Sequence, residues 1–156
     1  LKKIAESIGN KMKKSGWKGL FGIDVIYDEE RDCLFLIEIN ARQPASTTYE
    51  SQLQKKIGTG ITTFEAHLMA LTDTPITSTL TQINDGAQIV QRVAKNVQNI
   101  HTEKLEKASY KVIKYNNTKL NSDLVRIQSE RGIMETHSKF NARGKEILDV
   151  LSFTHP

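Results

Sequence analysis

Three oxygen-bearing residues in this sequence could hold a hard metal cation: Asp24, Glu38 and Asn40. Glu38 and Asn40 lie two apart in the run Cys33-Leu-Phe-Leu-Ile-Glu-Ile-Asn40, whose β-branched and aromatic content predicts a strand. Residues two apart on a strand face the same side, so Glu38 and Asn40 project together, and Arg42 continues that face if the strand extends. Phe35, Ile37 and Ile39 then take the other face, the expected core side. A partner strand is predicted over residues 20–27, and the polar stretch 28–32 joins the two as a β-hairpin. With the turn centred near Glu30, Asp24 falls across from Leu36, and one step of register brings it opposite Glu38. Like charges facing each other across a sheet are unfavourable. A divalent cation among them reverses that sign, and a set of Asp, Glu and Asn oxygens suits magnesium or manganese that also touches substrate phosphates. The same spacing also fits the solvent face of an antiparallel sheet, where carboxylates and asparagine are ordinary.

The flanking elements follow from periodicity. Ile4, Ile8 and Met12 stripe one face of a helix over residues 1–15, which Ser15-Gly16 stops. Residues 41–60 read as a long polar loop, with one helical turn allowed near Tyr49 to Gln54. Thr62-Thr63 followed by Phe64, Glu65, His67, Leu68 and Leu71 predicts a capped helix ending near Thr72, and Asp73-Thr74-Pro75 breaks the pattern. A boundary is placed there, giving domains 1–72 and 73–156. In the second, strands are expected at 87–97, 109–115, 124–127 and 133–137, and a helix at 140–151. Helix, hairpin and helix followed by a small, mostly-β lobe is an α+β pattern.

Composition narrows the class. The chain has 156 residues, 38% apolar and 26% charged, which suits a globular protein of one domain or two small lobes. No apolar run approaches the roughly 20 residues of a membrane span, so no membrane partner is expected. The first residue is Leu1, and the opening stretch has no signal-peptide core, so a piece of a longer protein is expected. The single cysteine, Cys33, precludes an internal disulfide and points to a reducing, cytoplasmic setting, with the thiol expected to be buried and inert. The net charge is +4 and the pI near 9.1. Acidic residues interleave the lysines without basic–aromatic alternation, so nucleic acid is not the expected partner, whereas an anionic small molecule such as ATP suits the excess.

The stretch Gly19-Leu-Phe-Gly-Ile-Asp-Val-Ile-Tyr27, continued by Leu34-Phe-Leu-Ile-Glu-Ile-Asn-Ala-Arg42, resembles the C-terminal core of ATP-grasp enzymes. These include biotin carboxylase, carbamoyl-phosphate synthetase and the D-alanine–D-alanine ligases. There a Gly-x-Asp strand precedes a strand ending in Glu-x-Asn, often with an arginine two residues on. The likeness runs over residues 1–71. It implies an antiparallel sheet with flanking helices and an ATP-dependent ligase that activates a carboxylate as an acyl phosphate and joins it to an amine. Glu38 matches the carboxylate that bridges two magnesium ions, and Asn40 matches an amide ligand. Asp24 falls where many members carry a further acid, and Arg42 matches an arginine that steadies the phosphate or acyl phosphate as a catalytic group. Ser46, Thr47 and Thr48 lie where members offer hydroxyls and N–H groups to substrate, and equally read as a polar loop. Residues 111–152 resemble, more faintly, the small β lobe of the biotin-carboxylase and ribotide-transformylase branch. The glycine-rich flap and the lysines of the family precede the matched region. The missing N-terminal half of the same enzyme is therefore an expected partner, alongside ATP and a small carboxylate substrate, and this piece alone is expected to be inactive. A homodimer is left open.

Other residues carry less. His67 reads as a packed or surface histidine, and His101, His137 and His155 show no metal-ligand spacing. Trp17 and Phe21 are expected to anchor the helix-to-strand junction. Two rival readings stand beside the ligase: a non-catalytic basic binding module, and a degenerate ATP-grasp piece serving as a structural or oligomerisation lobe.

Overall fold

The computed structural model describes residues 1–95, 100, 102–108 and 110–152. The chain is α+β and divides into two compact units, Leu1–Gln82 and Ile83–Pro156. The division falls ten residues beyond the expected one, because the segment after Pro75 is tied back into the first unit. Ile61 forms a parallel bridge with Leu80, its N–H donates to the Thr79 carbonyl at 3.1 Å, and its carbonyl accepts from Thr81 at 2.9 Å. The chain leaves α3 through Thr72 and the left-handed Asp73 without leaving the unit.

In the first unit, α1 (Lys2–Lys14) half-buries Ile4, Ile8 and Met12 and carries Lys11, Lys13 and Lys14 in its last turn, where positive charge complements the helix dipole. It stops at Gly16, whose φ of 82° only glycine adopts cheaply. There the Trp17 N–H donates to the Met12 carbonyl at 2.9 Å and the Gly16 N–H to Lys13 at 3.0 Å, the paired closure of a Schellman motif.

Strands β1 (Gly22–Asp28) and β2 (Cys33–Asn40) form an antiparallel two-stranded hairpin. Tyr27 braces its turn by donating to Asp32 Oδ1 at 2.7 Å, and that bond raises the tyrosine's pKa above its ordinary value. Near the turn, Asp28, Tyr27, Ile26 and Val25 pair with Cys33, Leu34, Phe35 and Leu36. A bulge then shifts the register, so that Asp24, Ile23 and Gly22 pair with Glu38, Ile39 and Asn40. The extra residue is Ile37.

This bulge corrects the expected core face. Strand residues paired directly across share a face, so Phe35 joins Ile26 on the side of Asp24 and Glu38. Ile39 joins Ile23, Val25, Leu36 and Leu34 on the other. Phe35, Ile37 and Ile39 are also exposed, at 50%, 59% and 45%, rather than packed in a core. The strict alternation used to predict their packing does not survive an inserted residue.

Residues 41–60 are not a loop throughout. Helix α2 (Thr47–Ile57) fills the middle and ends at Gly58, φ 70°. Its buried face is Thr47, Tyr49, Leu53 and Gln54, half of it polar, which hides the helix from a hydrophobic pattern. Helix α3 (Thr63–Leu71) begins with a capping box: the Thr62 hydroxyl accepts from the Glu65 N–H at 3.1 Å, and the Glu65 carboxylate accepts from the Thr62 N–H at 2.7 Å. Gln54, 2% exposed, locks the two helices. Its oxygen accepts from the Thr63 N–H at 2.6 Å, and its amide nitrogen donates to the Thr63 hydroxyl at 3.0 Å and the Thr81 carbonyl at 2.9 Å.

The second unit is built on a three-stranded antiparallel sheet with β5 (Asp123–Ser129) between β3 (Ala87–Arg92) and β4 (Lys111–Lys114). The short α4 (Glu103–Lys107), the ribbon of β6 (Met134–Thr136) with β7 (Lys139–Phe140), and α5 (Ala142–Ser152) complete it. Leu105, Tyr110, Val125, Ile127, Ile133, Ile147 and Leu151 form its buried core. Strand β3 ends before the expected Val97, and part of that range, like Ser109, lies outside the described residues.

Candidate metal and phosphate site

Asp24, Glu38, Asn40 and Arg42 come together at the open end of the hairpin, away from its turn. Asp24 is directly opposite Glu38, and Gly22 opposite Asn40. Asn40 Nδ2 donates to Glu38 Oε1 at 2.9 Å and to Asp24 Oδ2 at 3.3 Å. Its Oδ1 faces the other way and accepts from Arg42 at 3.2 Å. Strand β2 stops at Asn40, and the Arg42 N–H turns back to the Asn40 carbonyl at 2.8 Å, so the guanidinium returns to the site through a tight turn rather than along an extended strand.

Two carboxylates set opposite each other repel. Here a carboxamide offers them its N–H groups and an arginine stands just behind it, which offsets part of that repulsion. Asp24, Glu38 and Arg42 are exposed and Asn40 is half-buried, leaving the acid face open on one side to a ligand. Among the described residues no group of three Asp, Glu, His or Cys side chains is placed to hold a metal ion. The set is instead two acids and an amide, all hard oxygen donors once the amide is turned, which is a composition that fits magnesium or manganese better than zinc.

The neighbouring hydroxyls are not equivalent. Thr47 is 1% exposed on the buried face of α2 and cannot present its hydroxyl to a substrate at the surface, whereas Ser46 and Thr48 are exposed. Cys33, expected to be buried, is exposed at the head of β2, its thiol donating to the Arg31 carbonyl at 3.2 Å. Trp17, beside α1, is 36% exposed. His101 and His155 lie outside the described residues.

Two residues hold the surroundings of the site: Gln54, which carries no local signal, and His67, expected as a packed or surface histidine and found half-buried. Gln54 fixes α2 to α3, and His67 Nδ1 accepts from the Leu20 N–H at 3.1 Å. Neither belongs to a local motif: the partners are 9 and 47 residues apart, so only folding reveals them. In the second unit, two groups are perturbed by their neighbours. The Lys114 ammonium, with the Thr102 hydroxyl, holds the Glu106 carboxyl below its usual range, while burial and a bond to Glu146 raise Tyr110.

No family model matches the chain, and no curated protein or solved structure matches it. Among the described residues no helix is long and apolar enough to cross a membrane.

Proposed function

We propose that the first unit supplies the cation and phosphate side of the ATP site of an ATP-grasp-type ligase, which activates a small carboxylate as an acyl phosphate for attack by an amine. The observation that carries this reading is the bulge at Ile37, which sets Asp24 against Glu38 with Asn40 spanning both. Bulges recur beside functional sites because they re-aim side chains. An acid pair held this way, its repulsion only partly offset by Asn40, gains when a positive ligand enters.

Asp24, Glu38 and Asn40 would hold magnesium, which when bound neutralises the β- and γ-phosphates of ATP. To offer oxygen instead of N–H, the Asn40 carboxamide must turn over. That movement releases Arg42 from Asn40 Oδ1 and frees a planar, bidentate donor for a phosphoryl oxygen. The carboxamide thus couples cation binding to phosphate binding. In one orientation it bonds to both acids and occupies the arginine, and in the other it does neither. The second unit, with its three-stranded sheet and closing helix α5, is read as the small β lobe of such an enzyme, a packing rather than a reacting part.

The test is calorimetric titration of the chain with manganese(II), without and with ADP, in the wild type and in Glu38→Gln and Asp24→Asn. Binding that either substitution abolishes supports the reading. Equal binding in all three forms would remove these residues from any cation site.

A further inference from the structure

We propose that His67 is a proton-sensitive latch on the segment that leads into β1. The Leu20 N–H donates to His67 Nδ1 at 3.1 Å. An imidazole nitrogen accepts only when it carries no hydrogen, so this bond specifies the neutral ring with its proton on Nε2. A protonated ring has N–H on both nitrogens and would turn one of them toward the Leu20 N–H, donor against donor. The contact therefore exists in one charge state of the ring and is broken in the other.

Gly19 is fitted to the same contact. Its φ is 84°, and a Cβ there would collide with the His67 ring, so the missing side chain is what lets the imidazole reach the next amide. His67 rides on a firm support. Helix α3 is fixed at its start by the Thr62–Glu65 capping box and by Gln54, and the Phe64 ring stands 6.5 Å from the imidazole, tilted by 54°. On the other side of the bond, Leu20 precedes Gly22 by two residues and Asp24 by four. The latch thus joins a fixed helix to the start of the strand that carries the acid.

The charged groups nearest in sequence or lining the groove beside Gly19 lie on α1, on α3 and on the segments that flank them. Lys18 and Asp73 pair with each other at 2.6 Å, Lys13 on α1 lines the same groove as Gly19 and Trp17, and Glu65 on α3 is engaged in the capping box. None is an acceptor on Leu20. His67 alone among them belongs to the residue type that exchanges charge between about pH 5 and 8. That the latch positions Asp24 for a cation rests on the reading of the acid pair above; that it holds the segment does not.

Trp17 is the only tryptophan and sits three residues from Leu20, so its emission reports on this segment. Emission is recorded from about pH 8 to about pH 5 in the wild type, His67→Asn and His67→Ala. Asparagine keeps an acceptor oxygen near the Nδ1 position and does not titrate. The expected result is one emission shift on acidification in the wild type, none in His67→Asn, and the acid-form emission at every pH in His67→Ala. A shift that persists in His67→Asn, or no shift in the wild type, overturns the latch. Imidazole nitrogen chemical shifts of the wild-type chain give a check that needs no variant: the neutral ring must carry its proton on Nε2, and the Nδ1–H form overturns the proposal. Manganese titration separates the two readings. Affinity that falls further with acid in the wild type than in His67→Asn links latch to cation site; equal falls break that link while the emission result still stands; no binding at any pH sinks the cation site alone.

Discussion

Asp24 stands opposite Glu38 across the hairpin, and the pairing exists only because Ile37 bulges out of β2. Continuing the register of the turn-proximal half would set Asp24 against Ile37 and Glu38 against Ile23. A one-residue slip moves a side chain to the other face of a strand, so the two acids would then sit on opposite sides. The bulge brings like charges together, which the fold by itself has no reason to do. Asn40, bonded to both carboxylates, is what makes the arrangement tolerable without a cation.

A cost of this kind should be recoverable. Glu38→Gln removes one charge and keeps an acceptor for Asn40. Without divalent cation it should leave the first unit as stable as the wild type or more so, by a few tenths of a kcal/mol, about the size of one exposed cross-strand pair. Added manganese(II) should raise the thermal midpoint of the wild type and leave that of the variant unmoved. Thermal melts with and without the metal measure both effects.

Arg42 acts on the site from behind. It holds Asn40 Oδ1 at 3.2 Å and places positive charge beside the acids. Arg42→Ala should therefore tighten manganese(II) binding while weakening the gain that ADP brings, because the oxygen is freed and the phosphate contact is lost. Calorimetry with metal alone and with metal plus ADP separates the two signs.

Gln54 is the polar keystone of the first unit. Replacing it with Ala leaves the Thr63 N–H and the Thr81 carbonyl without their partner in a buried setting. Among the described residues the Thr81 hydroxyl has no partner already. The expected loss is about 2–4 kcal/mol, from unmet backbone groups together with a cavity. Gln54→Leu, which fills the space, should recover the cavity share and leave the polar share of the loss. Urea unfolding of the three forms decides this.

The acid limb of stability has a named contributor. The Glu65 carboxyl is held below its ordinary range by the Thr62 N–H and then by the Thr62 hydroxyl. A carboxyl lowered in the folded state contributes stability that is present above its unfolded value and is lost as pH falls through its folded value. Glu65→Ala should be less stable than the wild type near neutrality, and the gap should close in acid. Thermal midpoints of both forms from neutral to acid pH give the comparison, and a gap that widens with acid would contradict the sign.

How much of this was legible in the sequence depends on range. Both strands of the hairpin, α1 and α3 were readable because each signal is local: apolar spacing in α1, β-branched runs in the strands, and Thr62 three residues before Glu65. The bulge was not, since nothing in Leu36-Ile37-Glu38 marks which residue will go unpaired; the register of the turn and that of the open end compete, and Ile37 absorbs the difference. For the same reason Phe35 was placed on the wrong face. Helix α2 reads as no more than one turn near Tyr49 to Gln54 because its buried side includes Thr47 and Gln54, polar residues whose value lies in partners on other elements. The residues of the candidate site were all readable by type, whereas the Asn40 bridge and the Leu20–His67 bond required the fold.

Whether a cation sits among Asp24, Glu38 and Asn40 is decided by paramagnetic broadening of backbone amide signals, with manganese(II) added at low molar ratio. Broadening should be confined to the amides around Asp24, Glu38, Asn40 and Arg42, vanish in Glu38→Gln, and be displaced by excess magnesium. Broadening spread over the acidic turn at Asp28 to Asp32, or unchanged by the Glu38 substitution, would place the ion elsewhere and remove the cation site.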